Sequence, residues 1–301
     1  MAAKKLNKVN ITTKNTIHIV CFSGGESSAI VAIEAVRRFG KENVILLNHD
    51  INPKYEDKDI KRFKQEVATY LGLPITYANI KGIYNPEELP SQFQVCIDAG
   101  ALTDFAGNAL CTHRLKTQPF ADYLNLNFPV YDSLFEKKKE CVIYYGFDEN
   151  EIDRIQRRTG ILGAMSYKTD YILAFWKKRT IFRTLEINIK PPCTYSVFKH
   201  ANCKGCLKAS LLHWYVVYVL YPEIYTEAIN MENEIDFTIH TVTRNGIKSP
   251  ISLTELAPIF MQMNKDGLKA TEHQSMKKFA HKIRKYQIDM VETKKPCECI
   301  A

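Results

Sequence analysis

The chain lacks an apolar run long enough to cross a bilayer: its longest, residues 211–221, is broken by His213 and falls far short of a span. Its first fifteen residues, MAAKKLNKVNITTKN, are basic but contain no apolar core of the kind a secretory signal needs. No stretch is biased enough to be low-complexity and no internal repeat is present, which excludes solenoids and arrays. With 46% hydrophobic and 25% charged residues, the composition belongs to a globular protein rather than a disordered one. A cytoplasmic protein is therefore expected, folded as one large domain or as a main domain with an appended lobe. Cysteines are reduced in that compartment, so any clustering of the nine present points to metal, cluster or redox chemistry before disulfides.

What is abundant is positive charge. The formal net charge of +8 comes from lysine-rich stretches at residues 4–14, 137–139 and 277–285. Such surfaces favour polyanions, either nucleic acid or a nucleotide alone, although charge runs also serve simply as solvated faces.

Hydrophobic periodicity organises the first half. Residues 16–22 read as a strand, 27–39 as a helix stopped by Gly40, 44–48 as a second strand, 57–71 as an amphipathic helix ended by Gly72, and 75–78 as a third strand. Residues 85–108 read as a long loop, followed by helices at 115–124 and 149–158 around a fourth strand at 141–145. This alternation predicts an α/β fold with a Rossmann-like parallel sheet and helices on both faces, spanning residues 1–160. Residues 161–301 are expected to form a mainly helical lobe, with helices near 172–184, 214–232 and 273–286 and a cysteine-rich segment at 191–210. The aromatic stretch at 213–221 reads as core packing rather than a base-stacking platform.

Two glycines directly after the first strand let the backbone turn tightly, and the following helix aims its free N–H groups at the same place: an anion site. In Ser23-Gly24-Gly25-Glu26-Ser27-Ser28 the serines add hydroxyl donors, and the loop lies beyond the carboxyl end of a parallel strand, where open α/β sheets bind ligands. A Walker loop is excluded, because no Gly-Lys-Ser/Thr follows.

The cysteines supply a second pattern. Cys193, Cys203 and Cys206 form a C-x9-C-x2-C run in which Lys204 and Gly205 allow a tight turn, and Cys111 is the natural fourth ligand if the second lobe folds back. Four thiolates suit a [4Fe–4S] iron–sulfur cluster or tetrahedral Zn²⁺; unliganded or transiently oxidised thiols are the remaining reading. His113 and His200 flank these cysteines. Cys297 and Cys299 form a C-x-C near the carboxyl end, either a mobile thiol pair or incidental.

Taken together, the loop, the Asn48-His49-Asp50 turn, the segment from Cys111 to Lys116, Gly146 with Glu151 and Arg154, and residues 191–210 resemble the PP-loop ATP pyrophosphatase superfamily. Within it they resemble the PAPS reductase-like family, over roughly residues 16–232. The resemblance implies a sheet of the HUP/PP-loop type in which Ser23, Gly24, Gly25, Glu26, Ser27 and Ser28 cradle the phosphates of ATP with Mg²⁺. Asn48, His49 and Asp50 would lie near the adenosine, and Gly146 would border the site. Lys116 and Arg154 are the implied catalytic groups; Arg157 and Arg158 would face the phosphates or second substrate, or else form a solvated helix face. The loop departs from the common Ser-Gly-Gly-x-Asp-Ser form by having Ser27 in place of aspartate. The cysteine pattern is similar to that of the C component of the Dnd DNA-phosphorothioation systems. The expected activity is adenylation of a second substrate for sulfur transfer, with a nucleic acid or a sulfur-donor protein as partner. A thiol-dependent reductase of PAPS-type nucleotides and a non-catalytic nucleotide-sensing or nucleic-acid-binding module are the alternatives.

Overall fold

The computed structural model describes residues 16–129, 140–201, 203–286, 288 and 290–291. Cys297, Cys299 and the lysine runs at 4–14 and 137–139 lie outside the described residues.

Five strands, β1 (Ile17–Cys21), β2 (Val44–Asn48), β3 (Ile75–Tyr77), β4 (Cys141–Tyr144) and β5 (Lys168–Asp170), form one sheet in the order β3-β2-β1-β4-β5, every pairing parallel. The central strands are apolar on both faces, as a doubly covered sheet demands. Val20, Phe22, Val44, Leu46 and Tyr144 pack on one side against α1 (Glu26–Phe39) and α2 (Lys58–Leu71). Ile19, Cys21, Leu47, Ile143 and Tyr145 pack on the other against α5 (Gln118–Asn127) and α6 (Ile152–Ala164). Successive residues of a strand point to opposite faces, and that alternation assigns the two cores.

The strand order reverses between β1 and β4, so the loops leaving these two strands diverge and open a crevice at the carboxyl rim, the switch point of such sheets. Between β3 and β4 lie α3 (Gln92–Ile97) and α4 (Leu110–Thr112); α4 runs through a π-helical turn at His113–Thr117 into α5. The 85–108 region read as loop thus contains α3, in which Phe93, Val95 and Cys96 are buried.

Two further expectations change. The sheet continues past residue 160: β5 belongs to it, and Ile172, Ile181 and Ile189 pack into its core. β5 is illegible in the sequence because Lys168-Thr169-Asp170 is polar and partly exposed, an edge strand without a hydrophobic pattern. The expected helix at 172–184 shrinks to α7 (Ile172–Phe175).

The second unit carries a small sheet beside its helices. The expected helix at 214–232 is two, α8 (Leu211–Leu220) and α9 (Pro222–Ile235), because Pro222 cannot continue α8 and instead occupies the first turn of α9. They are followed by an antiparallel sheet of β6 (His240–Arg244), β7 (Ile247–Ile251) and β8 (Met290–Val291) in the order β7-β6-β8, with α10 (Leu253–Lys265) and α11 (Met276–Arg284). Its core centres on Trp214, Tyr215, Phe260 and Phe279 and takes in Phe93 and Cys96 of α3, joining the two units. Trp214 and Tyr215 are fully buried, the packing role read from the sequence.

Candidate functional site

β1 delivers the chain into Ser23-Gly24-Gly25 before α1 begins with Gly25 as its cap residue. Gly24 holds φ +83°, and a Cβ there would lie 2.8 Å from both Ile60 Cγ2 and Lys64 Cγ of α2. The turn is therefore glycine's by conformation and by space. Within it Ser28 donates to the Gly25 carbonyl at 2.8 Å, and Ser23 donates to Ser28 Oγ at 3.2 Å. Gly146, after β4, is constrained by space alone: a Cβ would lie 3.0 Å from Ser28 N, so the two diverging loops meet closely.

Between them lies a cleft of about 250 Å³. Ser23, Gly25, Ser27, Ser28, Asn48, His49, Lys116, Gly146 and Arg154, all singled out in the sequence, line it. Lys116 is buried on the π-helical turn, a local widening of the kind found at functional sites. Arg154 projects from α6 over the Phe147 ring at 4.2 Å and pairs with Glu151. Its Nε is buried without a hydrogen-bond partner. Asn48 gives its amide to the Phe22 carbonyl at 2.5 Å and accepts from Lys64, whose ammonium pairs with Glu56 at 2.8 Å. His49 bonds the Ala78 carbonyl through Nδ1 at 2.5 Å, leaving Nε2 buried and unpartnered. Burial pushes its pKa down to about 4, partly offset by the Ala78 bond and reinforced by Lys116, so the ring is neutral.

Other sequence-selected residues face elsewhere. The Glu26 carboxylate turns away from the cleft and accepts from Thr184 N and Oγ1, while Glu26 N donates to the Tyr195 hydroxyl at 3.1 Å. Gly24 itself packs on α2 rather than lining the cleft. Asp50 is tied to Ile51 N and to Lys61 at 3.3 Å and does not line it either. The same holds for Arg157, exposed on α6, and for Arg158, buried with its guanidinium 5.6 Å from the Tyr145 ring. Of the α6 arginines only Arg154 reaches the crevice.

The thiols divide. Cys111, Cys203 and Cys206 influence one another electrostatically, and Cys96 of α3 acts on Cys111 in the same way. Burial is the main cause that raises Cys111 and Cys206 to about 12 and Cys96 to about 11, with Lys116 opposing it at the first two and Arg114 at the third. Cys193 stands apart: it is exposed, its N–H donates to Asp59 at 2.5 Å, and its strongest neighbours are Asp59, Asp57 and Arg62. Cys203 and Cys206 are not among the groups that act on Cys193. Cys96 escapes a reading of the sequence because it belongs to no cysteine motif. Lys116 links the two sites, lining the cleft and acting on Cys111 and Cys206.

Sequence reasoning also misses Tyr195, Lys199 and Ala201, which bring the second half of the chain to the cleft wall beside His200. Only the nearness of Lys199 and Ala201 to Cys203 could flag them.

These features define an α/β protein with a five-stranded parallel sheet whose carboxyl rim opens a polar cleft. No helix among the described residues is long and apolar enough to cross a membrane. No family model matches the chain, and no solved structure matches it. The chain is similar to "Uncharacterized nin region protein ORF290" of Escherichia phage lambda, 26% identical over 216 residues covering 64% of this chain and 67% of that protein.

Proposed function

We propose that the chain is a nucleotide-dependent enzyme of the PP-loop type, which binds ATP in the cleft and adenylates a second substrate for sulfur transfer. The observation that carries this reading is the glycine turn at the switch point, where the first turn of a 14-residue helix opens onto a cleft that also holds Lys116 and Arg154. Helix N-terminal amides and two cations suit a polyphosphate better than any neutral ligand.

In the proposed step an oxygen of the second substrate attacks the α-phosphorus of ATP. A new P–O bond forms, the α–β anhydride bond breaks, and pyrophosphate leaves with the bonding pair. The serine-loop amides, Lys116 and Arg154 stabilise the charge that accumulates on the leaving group. Of the carboxylates lining the cleft, Glu151 pairs with Arg154 and Glu56 pairs with Lys64 through Oε1, whereas Glu56 Oε2 is buried without a hydrogen-bond partner and would be the carboxylate oxygen open to a Mg²⁺ carried on the polyphosphate. A sulfur nucleophile then displaces AMP from the activated centre.

In this reading a thiolate-bound group would be held by Cys96, Cys111, Cys203 and Cys206: Cys96 and Cys203 act electrostatically on Cys111, and Cys203 and Cys111 on Cys206. Cys111 and Cys206 are influenced by Lys116, and Lys208, whose own pKa burial lowers, is influenced by Cys206 and Cys111 in turn. An iron–sulfur cluster or zinc ion bound there would supply a site for the transferred sulfur. Without a metal such buried thiols stay protonated.

The test pairs calorimetric ATP binding with pyrophosphate release, the protein being purified without oxygen and assayed with nucleic acid and sulfide. Saturable binding, with release on adding the second substrate, is expected. Absence of nucleotide binding contradicts the reading, and binding without release under every condition points to the nucleotide-sensing alternative, which Ser27 in the aspartate position favours.

A further inference from the structure

At the wall of the cleft, on the side built by the second half of the chain, three polar side chains from separate segments converge. Glu272 lies just before α11, His213 on α8, and His200 in the segment that lines the cleft beside Lys199 and Ala201. One carboxylate oxygen, Glu272 Oε1, is approached by His213 Nδ1 at 2.8 Å and by His200 Nε2 at 3.3 Å. The ligand atoms of the three residues all lie within 4.8 Å of one another. We propose that His200, His213 and Glu272 form a binding site for a divalent transition-metal ion, zinc being the best suited, with an open position toward the cleft.

The spacing supports it. Tetrahedral zinc with bonds of ~2.0–2.1 Å sets its ligand atoms ~3.3 Å apart. The edge from Glu272 to His200, 3.3 Å, already has that value; the edge from Glu272 to His213, 2.8 Å, is a hydrogen bond that the ion would replace and widen, and the third edge lies within 4.8 Å. Two imidazoles and one carboxylate are a donor set that suits zinc and the neighbouring first-row ions.

The surroundings fix these ligands as the outer partners of a metal site do. Glu272 Oε2 accepts from Lys199 N at 2.9 Å, and Glu272 N donates to the Val197 carbonyl at 2.9 Å. The His213 ring is held 5.1 Å from Phe198 and 5.5 Å from His200, centroid to centroid. As a plain core residue His213 is a poor filler: it is 1% exposed and its Nε2 has no partner.

Three protein ligands leave a fourth position for water or substrate. His200 is the ligand that lines the cleft, so an anionic oxygen of a molecule bound there would take that position. The inference does not depend on the cleft's occupant being ATP, and it concerns a set of ligands separate from the thiols.

The test uses the full chain, stripped with a chelator and titrated with Zn²⁺ without nucleotide, read by zinc K-edge absorption and by thermal melting. Nitrogen and oxygen ligands at ~2.0–2.1 Å are resolved from sulfur at ~2.3 Å. The expected result is a nitrogen/oxygen-bound zinc that survives Cys111→Ser with Cys203→Ser, is lost in His200→Gln and in Glu272→Gln, and raises the melting temperature of the parent but of neither ligand variant. His200 is partly exposed, so its variant stays folded even where a change at buried Glu272 does not. Zinc with a sulfur-only shell in the parent, or an unchanged nitrogen/oxygen shell in His200→Gln, would overturn the proposal.

Discussion

Replacing Gly24 by alanine isolates the contact on which the cleft's geometry rests. The residue holds φ +83°, a conformation that costs an L side chain about 1–2 kcal/mol. The new Cβ would also meet Ile60 Cγ2 and Lys64 Cγ at 2.8 Å and Lys64 Cδ at 2.9 Å. Lys64 cannot swing aside, because its side chain is buried and its ammonium is paired with Glu56 at 2.8 Å. Overpacking of this kind adds about 1–3 kcal/mol, so Gly24→Ala should cost about 2–5 kcal/mol in total. Gly82 provides the control: it has φ +90° but nothing within 4 Å of a Cβ, so Gly82→Ala carries the backbone component only. Urea unfolding of both variants, compared at equal slope, measures the difference, expected at about 1–3 kcal/mol. Equal destabilisation of the two would refute the close seating of the serine loop on α2.

His49 makes the protein acid-sensitive. Its folded pKa of about 4 lies below the ordinary 6.5, so the unfolded chain binds the extra proton between these values. The contribution is whole above pH 6.5 and is lost as the pH falls toward 4, about 3 kcal/mol in all. His49→Gln should flatten the stability profile across that window, and an unchanged slope by chemical denaturation would contradict the burial argument. Glu34 of α1 accepts from Thr180 N at 2.5 Å and Thr180 Oγ1 at 2.6 Å, and is completely buried. Glu34→Ala, leaving these donors unpaired, should destabilise by about 2–3 kcal/mol in the same assay, and a neutral effect would show that the 180–181 segment is held by other contacts. Cys96→Ser should lower the iron or zinc content of anaerobically purified protein while Cys193→Ser leaves it unchanged; the reverse result, by elemental analysis, would restore Cys193 to the ligand set.

The legible parts of this molecule are those where one physical demand dominates. A parallel strand buried on both faces must be apolar throughout, so β1, β2 and β4 announce themselves, and the glycines after β1 mark the turn because no other residue fits at Gly24. β5 is hidden by its polarity as an edge strand, and β6 and β7 by alternation interrupted at Pro250 and at the turn Asn245-Gly246. Within the site, positions fixed by backbone geometry, such as Ser23, Gly25 and Gly146, read as cleft-forming and line the cleft. Positions whose side chains choose between partners are less legible. Glu26 follows the loop in sequence yet turns to Thr184, and Arg158 shares α6 with Arg154 yet points to Tyr145. Tertiary proximity decides the rest: Cys96 lies within electrostatic reach of Cys111, and Tyr195, Lys199 and His200 reach the crevice from far along the chain, a relation that spacing within the sequence does not encode.

The most direct measurement is a crystal structure with a non-hydrolysable ATP analogue and Mg²⁺. Phosphate oxygens within hydrogen-bonding distance of the Ser27 and Ser28 amides, with Lys116 and Arg154 turned onto them, are the expected result. Well-ordered nucleotide bound away from that rim, or a rim left vacant at saturating nucleotide, would contradict the account.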